Sequence, residues 1–274
     1  MEPKFDILIQ PGRSELNYWK DIWKFRELFY ILSWRDIKVR YRQTFIGAAW
    51  AVVRPLLTMM VFTVVFNRIA KLPNDSSAPY SLMVFAGLLP WMFFSNSLSE
   101  ASNSLVGNSN LISKVYFPRL IIPASSIITS LVDFAISFAL FLLMMAYYQF
   151  QPTWHIFFLP FMVIIALITS FGISLSIASL NVKYRDFRFI VPFVVQLGLY
   201  ISPVGFSSSV VPEKWKLLYS FNPMVGVIDG FRWCMLDTPL DTTSIVISLA
   251  ISTVMLVCGI WYFRKTERSF ADNI

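Results

Sequence analysis

The chain has 274 residues, of which 56% are hydrophobic, 17% aromatic and only 14% charged. Ordinary soluble domains are about one-quarter charged, so this composition excludes a water-soluble globule and indicates an all-α integral membrane protein with several spans. The net charge of +7 comes from Lys and Arg set beside apolar stretches, as in membrane loops rather than a nucleic-acid surface, and two cysteines with one histidine exclude a disulfide framework or a zinc-type cluster.

Met1 to Lys24 mixes charge with short apolar runs and has no basic-then-apolar leader, so it reads as a lead-in that stays where it is made. From Ser33 to Leu57 a basic amphipathic stretch passes directly into an apolar one. Tyr30, Trp34, Ile37, Tyr41 and Phe45 recur at helical spacing, with Arg35, Lys38 and Arg42 on a neighbouring side. That pattern predicts a helix lying in a membrane surface and ending near Thr44. Asp36 and Arg40 stand one helical turn apart and are expected to pair. Residues 1–45 thus form a cytoplasmic lead-in with an interfacial amphipathic helix, and residues 46–274 a transmembrane domain with a cytoplasmic tail.

Six spans are expected from the apolar lengths, at 46–70, 80–100, 125–148, 156–180, 189–206 and 243–263. Lys71–Pro79 is a short polar turn. Ala101–Lys114 is a polar stretch, and Pro118 and Pro123 set off Val115–Pro123 as a separate short element. In the fourth span Ser170, Ser174 and Ala178, with Gly172 and Ser176 beside them, repeat every four positions and permit close approach of a neighbouring helix. Asn181–Arg188 is a compact charged loop. Between the last two spans, Val211–Phe221 and Met224–Leu236 are short apolar runs bounded by Pro212, Pro223 and Pro239. They predict two short re-entrant helices that dip into the membrane from outside, where protein must cover them or water line them.

Lys and Arg set the orientation. Nine lie between Lys4 and Arg42, and Lys114, Arg119, Lys183, Arg185, Arg188, Arg264, Lys265 and Arg268 fall on the same side. The opposite side has few basic residues, offset by Asp75, Glu213, Asp229, Asp237 and Asp241. Both termini are therefore expected in the cytoplasm.

No glycine is followed by lysine, so a phosphate-cradling loop is absent, and no two aspartates stand two apart. Catalysis, a cofactor or a metal is not expected in this chain. Arg54, Glu100 and Asp133 are the charges within the spans. Arg54 and Glu100 lie near cytoplasmic ends, where long side chains snorkel to the interface. Asp133 lies roughly 10 to 20 Å into the bilayer at 1.5 Å per residue, and is either paired structurally or part of a transport path. Aromatic residues form a second pattern: Trp50, Phe62 and Phe66 on the first span, Trp91, Phe93 and Phe94 on the second, Phe189, Phe193 and Tyr200 on the fifth. They form either the usual interfacial belt or a path lined by flat rings, along which a sugar polymer slides without any one hydroxyl being held. In Val115–Arg119, Tyr116 and Phe117 beside Lys114 and Arg119 combine aromatic anchors with a positive rim, as a docking surface does. Arg35, Asp36 and Arg40 on one flank and Arg185 and Asp186 on the other would wall it. The alternative is a segment that only caps the third span at the headgroups.

The stretch RDIKVRYRQTFIGAAWAVVRPLL, then VYFPR, NVKYRDFR, the VPEKW and FNPM pair and the ERSFAD tail, in this order around six spans, resemble the membrane permease of bacterial polysaccharide ABC exporters of type 2. That is the O-antigen, capsule and teichoic-acid group, and the FADNI tail and long basic entry helix are most similar to the O-antigen branch. The resemblance covers nearly the whole chain. It implies a homodimeric permease joined to two copies of a separate ATPase subunit, which would hold ATP and Mg. It also implies a path between the two permease chains for a lipid-diphosphate-linked glycan taken from the cytoplasmic leaflet of the bacterial inner membrane, with an external gate around Pro212, Trp215, Asn222, Pro223 and Arg232. A teichoic-acid, capsule, lipid or drug exporter would keep the same architecture. An integral glycosyl- or acyltransferase would need catalytic loops that are not evident.

Overall fold

The computed structural model describes residues 18–42, 47–74 and 77–270, and all regular structure among them is helical. The lead-in before residue 18, Phe45, Asp75 and the last four residues lie outside the described residues. Two short near-surface helices come first, α1 (Tyr18–Lys24) and α2 (Arg26–Arg42). Next is α3 (Gly47–Phe62), which runs on as a π-helical stretch, Thr63–Ile69. The helices α4 (Tyr80–Gly107), α5 (Ser109–Lys114) and α6 (Ile121–Tyr147) follow. A tight turn at Trp154–Phe158 leads into α7 (Leu159–Lys183), followed by α8 (Phe187–Ile201), α9 (Glu213–Ser220), α10 (Pro223–Leu236) and α11 (Thr242–Thr266).

Among the described residues, five helical stretches are long and apolar enough to cross a membrane: Ala49–Ile69, Tyr80–Gly107, Ile121–Tyr147, Trp154–Lys183 and Thr242–Ser269. The chain is a multi-pass membrane protein. The remaining expected span is shorter than its apolar length indicates. With 15 residues, α8 rises about 22 Å against about 30 Å of hydrocarbon. It stops because Pro203 disfavours helical backbone at Ser202, which is extended at φ −75° and ψ 152°. Conversely, Ala101–Gly107 is no linker but a continuation of α4. Its polar side chains bond back to carbonyls one turn earlier, Asn103 to Ser99 at 2.9 Å and Ser104 to Ala101 at 2.8 Å, so the helix satisfies them itself.

The bundle is built around α4, whose residues from Leu82 to Leu89 are almost wholly inaccessible. It packs on α6, α7 and α10, and α11 closes against α7 and α10. The small residues of α7 find their neighbour in α11. Gly172 and Gly259 face each other so closely that a side chain on Gly259 would strike the Gly172 carbonyl, and Thr169 and Ser252 share a buried hydroxyl bond of 2.6 Å. Both described termini meet at one end, the near end, where Phe25 and Leu28 join Leu32, Phe117, Leu120, Phe263 and Phe270 in a second apolar cluster. At the far end α10 is enclosed from Pro223 to Leu236, while α9 leaves Trp215, Leu217 and Leu218 exposed. Among the apolar helices of the bundle the least covered are α3 and α8, and Val191 is the buried residue of α8.

Candidate functional site

The inner face of α2 runs through Phe29, Leu32, Ser33, Ile37 and Tyr41 by the ordinary helical period, continuing from Phe25 in the turn before it. Tyr30 and Trp34, expected on that stripe, are exposed instead, because the contact with α6 rotates them outward. From this face Arg40 reaches into the bundle. Its Nη2 stands 2.8 Å from Asp133 Oδ2 on α6 and its Nη1 3.4 Å from Glu100 Oε1 on α4. The Tyr41 hydroxyl donates to the other Asp133 oxygen. Burial, and then the carboxylate it donates to, push the Tyr41 phenol well above the usual range, so it stays a donor. Asp133, 8% exposed, therefore has both oxygens engaged. The expected Asp36–Arg40 pair is absent for the same reason: Arg40 is drawn to two carboxylates across the bundle, and Asp36 pairs with Arg35 at 2.7 Å.

Arg40, Tyr41 and Asp133 form one wall of a cavity of about 120 Å³, closed by Trp50 and Arg54 of α3, Met92, Phe93 and Asn96 of α4 and Ser137 of α6. Arg54 is exposed at this cavity. With Arg40 and Tyr41 committed to Asp133, the Arg54 guanidinium, the Asn96 amide and the Ser137 hydroxyl beside the Trp50 indole are the groups that can engage an anionic or hydroxyl-rich molecule.

The aromatic residues divide in two. Trp50, Phe189, Phe193 and Tyr200 are exposed on α3 and α8. Phe62, Trp91 and Phe94 are buried inside the chain, and Phe93 is buried except where it lines the cavity. Trp91 fills the space left by Gly198 between α4 and α8, and Phe93 packs edge-on to Phe134. Phe66 is partly buried. Phe62 bridges it to Tyr200, with ring centroids 5.4 and 6.1 Å away, so the far ends of α3 and α8 meet through these rings.

At the near end Arg35 ties α2 to the α4–α5 corner by donating to Asn108 Oδ1 at 3.0 Å. A groove of about 480 Å³ between the end of α4 and the α7–α8 turn is lined by Asn103, Ser109, Arg185 and Arg188. Lys114 and Asp186 are exposed, as is Tyr116, at 51%. Phe117 is not. It is 1% exposed, buried with Phe263 and Phe270, because Pro118 turns the chain inward before α6. The Val115–Arg119 surface therefore presents one aromatic anchor, Tyr116, rather than two.

At the far end Pro212 and Trp215 are exposed. Asn222 caps α10, accepting from the Met224 N–H at 3.0 Å and donating to Ser202, with Pro223 in the first turn. Arg232, 3% exposed, donates to the carbonyls of Met83, Val204 and Phe206 and so stitches α10 to α4 and the chain after α8. Gly87 leaves room for that guanidinium. Sequence reasoning misses Tyr41, which looks like one more apolar stripe residue. It also misses Glu267, whose carboxylate accepts the Arg119 N–H at 2.8 Å; the preceding Arg264 was the available hint of a buried charge cluster. Among the described residues, no group of three His, Cys, Asp or Glu could hold a metal ion.

An α-helical membrane bundle with a partly polar cavity between its helices and an uncovered aromatic flank has the build of a transporter subunit. Residues 27–236 match the ABC-2 type transporter family, and the chain belongs to it. It is 30% identical to the O-antigen export system permease protein RfbA of Myxococcus xanthus over 93% of this chain and 98% of that one. It is 27% identical to a Klebsiella pneumoniae protein of the same name, over 90% of this chain and 94% of that protein. The polysialic acid transport protein KpsM of Escherichia coli is 22% identical over 87% of this chain and 93% of its own length.

Proposed function

We propose that this chain is the permease subunit of an ATP-driven exporter that moves a lipid-diphosphate-linked glycan of the O-antigen kind across the bacterial inner membrane. Two copies would face each other through α3 and α8, with the near end in the cytoplasm. Two separate ATPase subunits, holding ATP and Mg, would dock on the near-end surface around Lys114, Tyr116, Arg35 and Arg185. The observation that carries the reading is the α3–α8 flank. These helices touch at their far ends, are the least covered of the apolar helices, and expose Trp50, Phe193 and Tyr200, flat rings suited to sliding contact with sugars. In such a dimer the buried rings Phe62, Trp91, Phe93 and Phe94 shape the path from behind.

The cavity where exposed Arg54 stands beside the Arg40–Asp133–Glu100 group supports the cytoplasmic loading side, since a guanidinium suits a phosphate oxygen. Pro212 and Trp215 on α9 would border the external gate, held in register by Asn222, Pro223 and Arg232. The test is complementation. Cells lacking this chain should accumulate lipid-linked glycan on the cytoplasmic side and lose it from the surface, and the gene in trans should restore it. Unchanged surface glycan in the deletion strain would count against the cargo. Export of a teichoic acid, capsule, lipid or drug instead would keep the architecture and change only the molecule that accumulates.

A further inference from the structure

The tail after α11 is not needed to span a membrane, yet it is built into the bundle. Glu267 is 8% exposed, and its Oε1 accepts the backbone N–H of Arg119 at 2.8 Å. Arg119 lies in the turn that opens α6, where Ile121 and Ile122 donate back to Pro118 and Arg119 and the first N–H groups lack partners within the helix. A carboxylate there satisfies one of them and faces the positive end of the helix. The surroundings are closed: Phe117, Phe263 and Phe270 are each at most 1% exposed, and Phe263 meets Phe270 edge-on at 5.3 Å. Arg264 sits over the Tyr18 ring at 4.6 Å, bringing α1 to the same point.

We propose that Glu267 is the positioning residue of the docking segment Val115–Arg119. Through the Arg119 N–H it fixes that segment to the ends of α11 and α1, so that a push on Tyr116 moves α6 and α11 together instead of bending a loop. An apolar side chain would fill the space with less desolvation but could not accept the N–H. The inference rests on the reading that Val115–Arg119 receives force from an ATPase subunit.

The experiment uses the full chain in complex with its ATPase subunit in proteoliposomes, and measures glycan exported per ATP hydrolysed. In Glu267→Ala the complex should assemble and hydrolyse ATP while export per ATP falls about tenfold, the factor that one hydrogen bond of about 1.4 kcal/mol is worth. Glu267→Gln, whose amide oxygen still accepts the Arg119 N–H, should stay near the native ratio. Phe270→Ala should lower thermal stability and leave the ratio unchanged. A native ratio in Glu267→Ala overturns the proposal, as does a loss confined to stability. Should the alanine variant not be recovered, Glu267→Met fills the same volume and must show the same fall in ratio. Tyr116→Ala separates the two ideas. If it couples normally, the docking reading has failed. If it uncouples while Glu267→Ala does not, only the positioning role has.

Discussion

The guanidinium of Arg40 lies 2.8 Å from the carboxylate of Asp133, and through that contact a helix running along the near end is fastened to the interior of a membrane-spanning one. Glu100 and Tyr41 complete the group. Asp133→Asn leaves Arg40 with Glu100 alone, and Arg40→Gln leaves Asp133 without its cation. Each is expected to lower the thermal stability of the purified chain. The double variant should lose less than the sum, with a coupling of about 1–3 kcal/mol. Strict additivity would mean that the contact contributes nothing.

Topology gives a second prediction. In a background without Cys234 and Cys258, cysteines at Ser77 and Ser208 should react with an impermeant thiol reagent from outside, and those at Ser113 and Ser269 should not. External labelling at Ser113 would invert the proposed orientation.

Alanine at Trp50, Phe193 and Tyr200 together should reduce export while the protein remains folded and the complex still hydrolyses ATP, since these side chains are exposed. Single changes should do less, because many weak ring contacts share the task. Trp91→Ala behaves differently. It opens a cavity between α4 and α8 and should destabilise the chain by on the order of 3 kcal/mol. Normal export by the triple variant would return these rings to a lipid-facing role.

Asp241 caps α11, accepting the Thr243 and Ser244 N–H groups at 3.1 and 3.4 Å and the Ser244 hydroxyl at 2.7 Å. Partial burial opposes ionisation, but these bonds and Lys216 hold the carboxyl below the usual carboxylate range. The folded state thus binds this proton less readily than the unfolded one. The ionised cap stabilises above the ordinary carboxylate pKa, and that stabilisation is lost as pH falls through the depressed value. Asp241→Asn should therefore lower Tm at pH 7 by a margin that shrinks below about pH 4. A margin independent of pH would show that the charge is irrelevant to the cap.

The long helices were legible because some twenty consecutive apolar residues have few other stable forms in a bilayer. The early end of α8 was also legible, in Pro203, but a hydropathy average runs past a single proline. Phe117 was not. An aromatic residue flanked by Lys and Arg in a short proline-bounded segment reads as an exposed anchor, and its burial depends on Phe263 and Phe270, which are near only in space. Arg40 lies between these cases. The local rule pairs it with Asp36, yet a carboxylate within a span requires a partner from elsewhere, and Asp133 finds Arg40 on the helix that precedes the first span.

The central claim, that this permease carries a lipid-linked glycan under power delivered at its near end, is tested most directly in sealed proteoliposomes. They would contain the chain with its ATPase subunit and a labelled lipid-diphosphate glycan facing the ATPase. Addition of ATP and Mg should move the label to the opposite leaflet, and Tyr116→Ala should abolish that movement while ATP is still hydrolysed. Label that stays in place despite hydrolysis by the native complex would contradict the account.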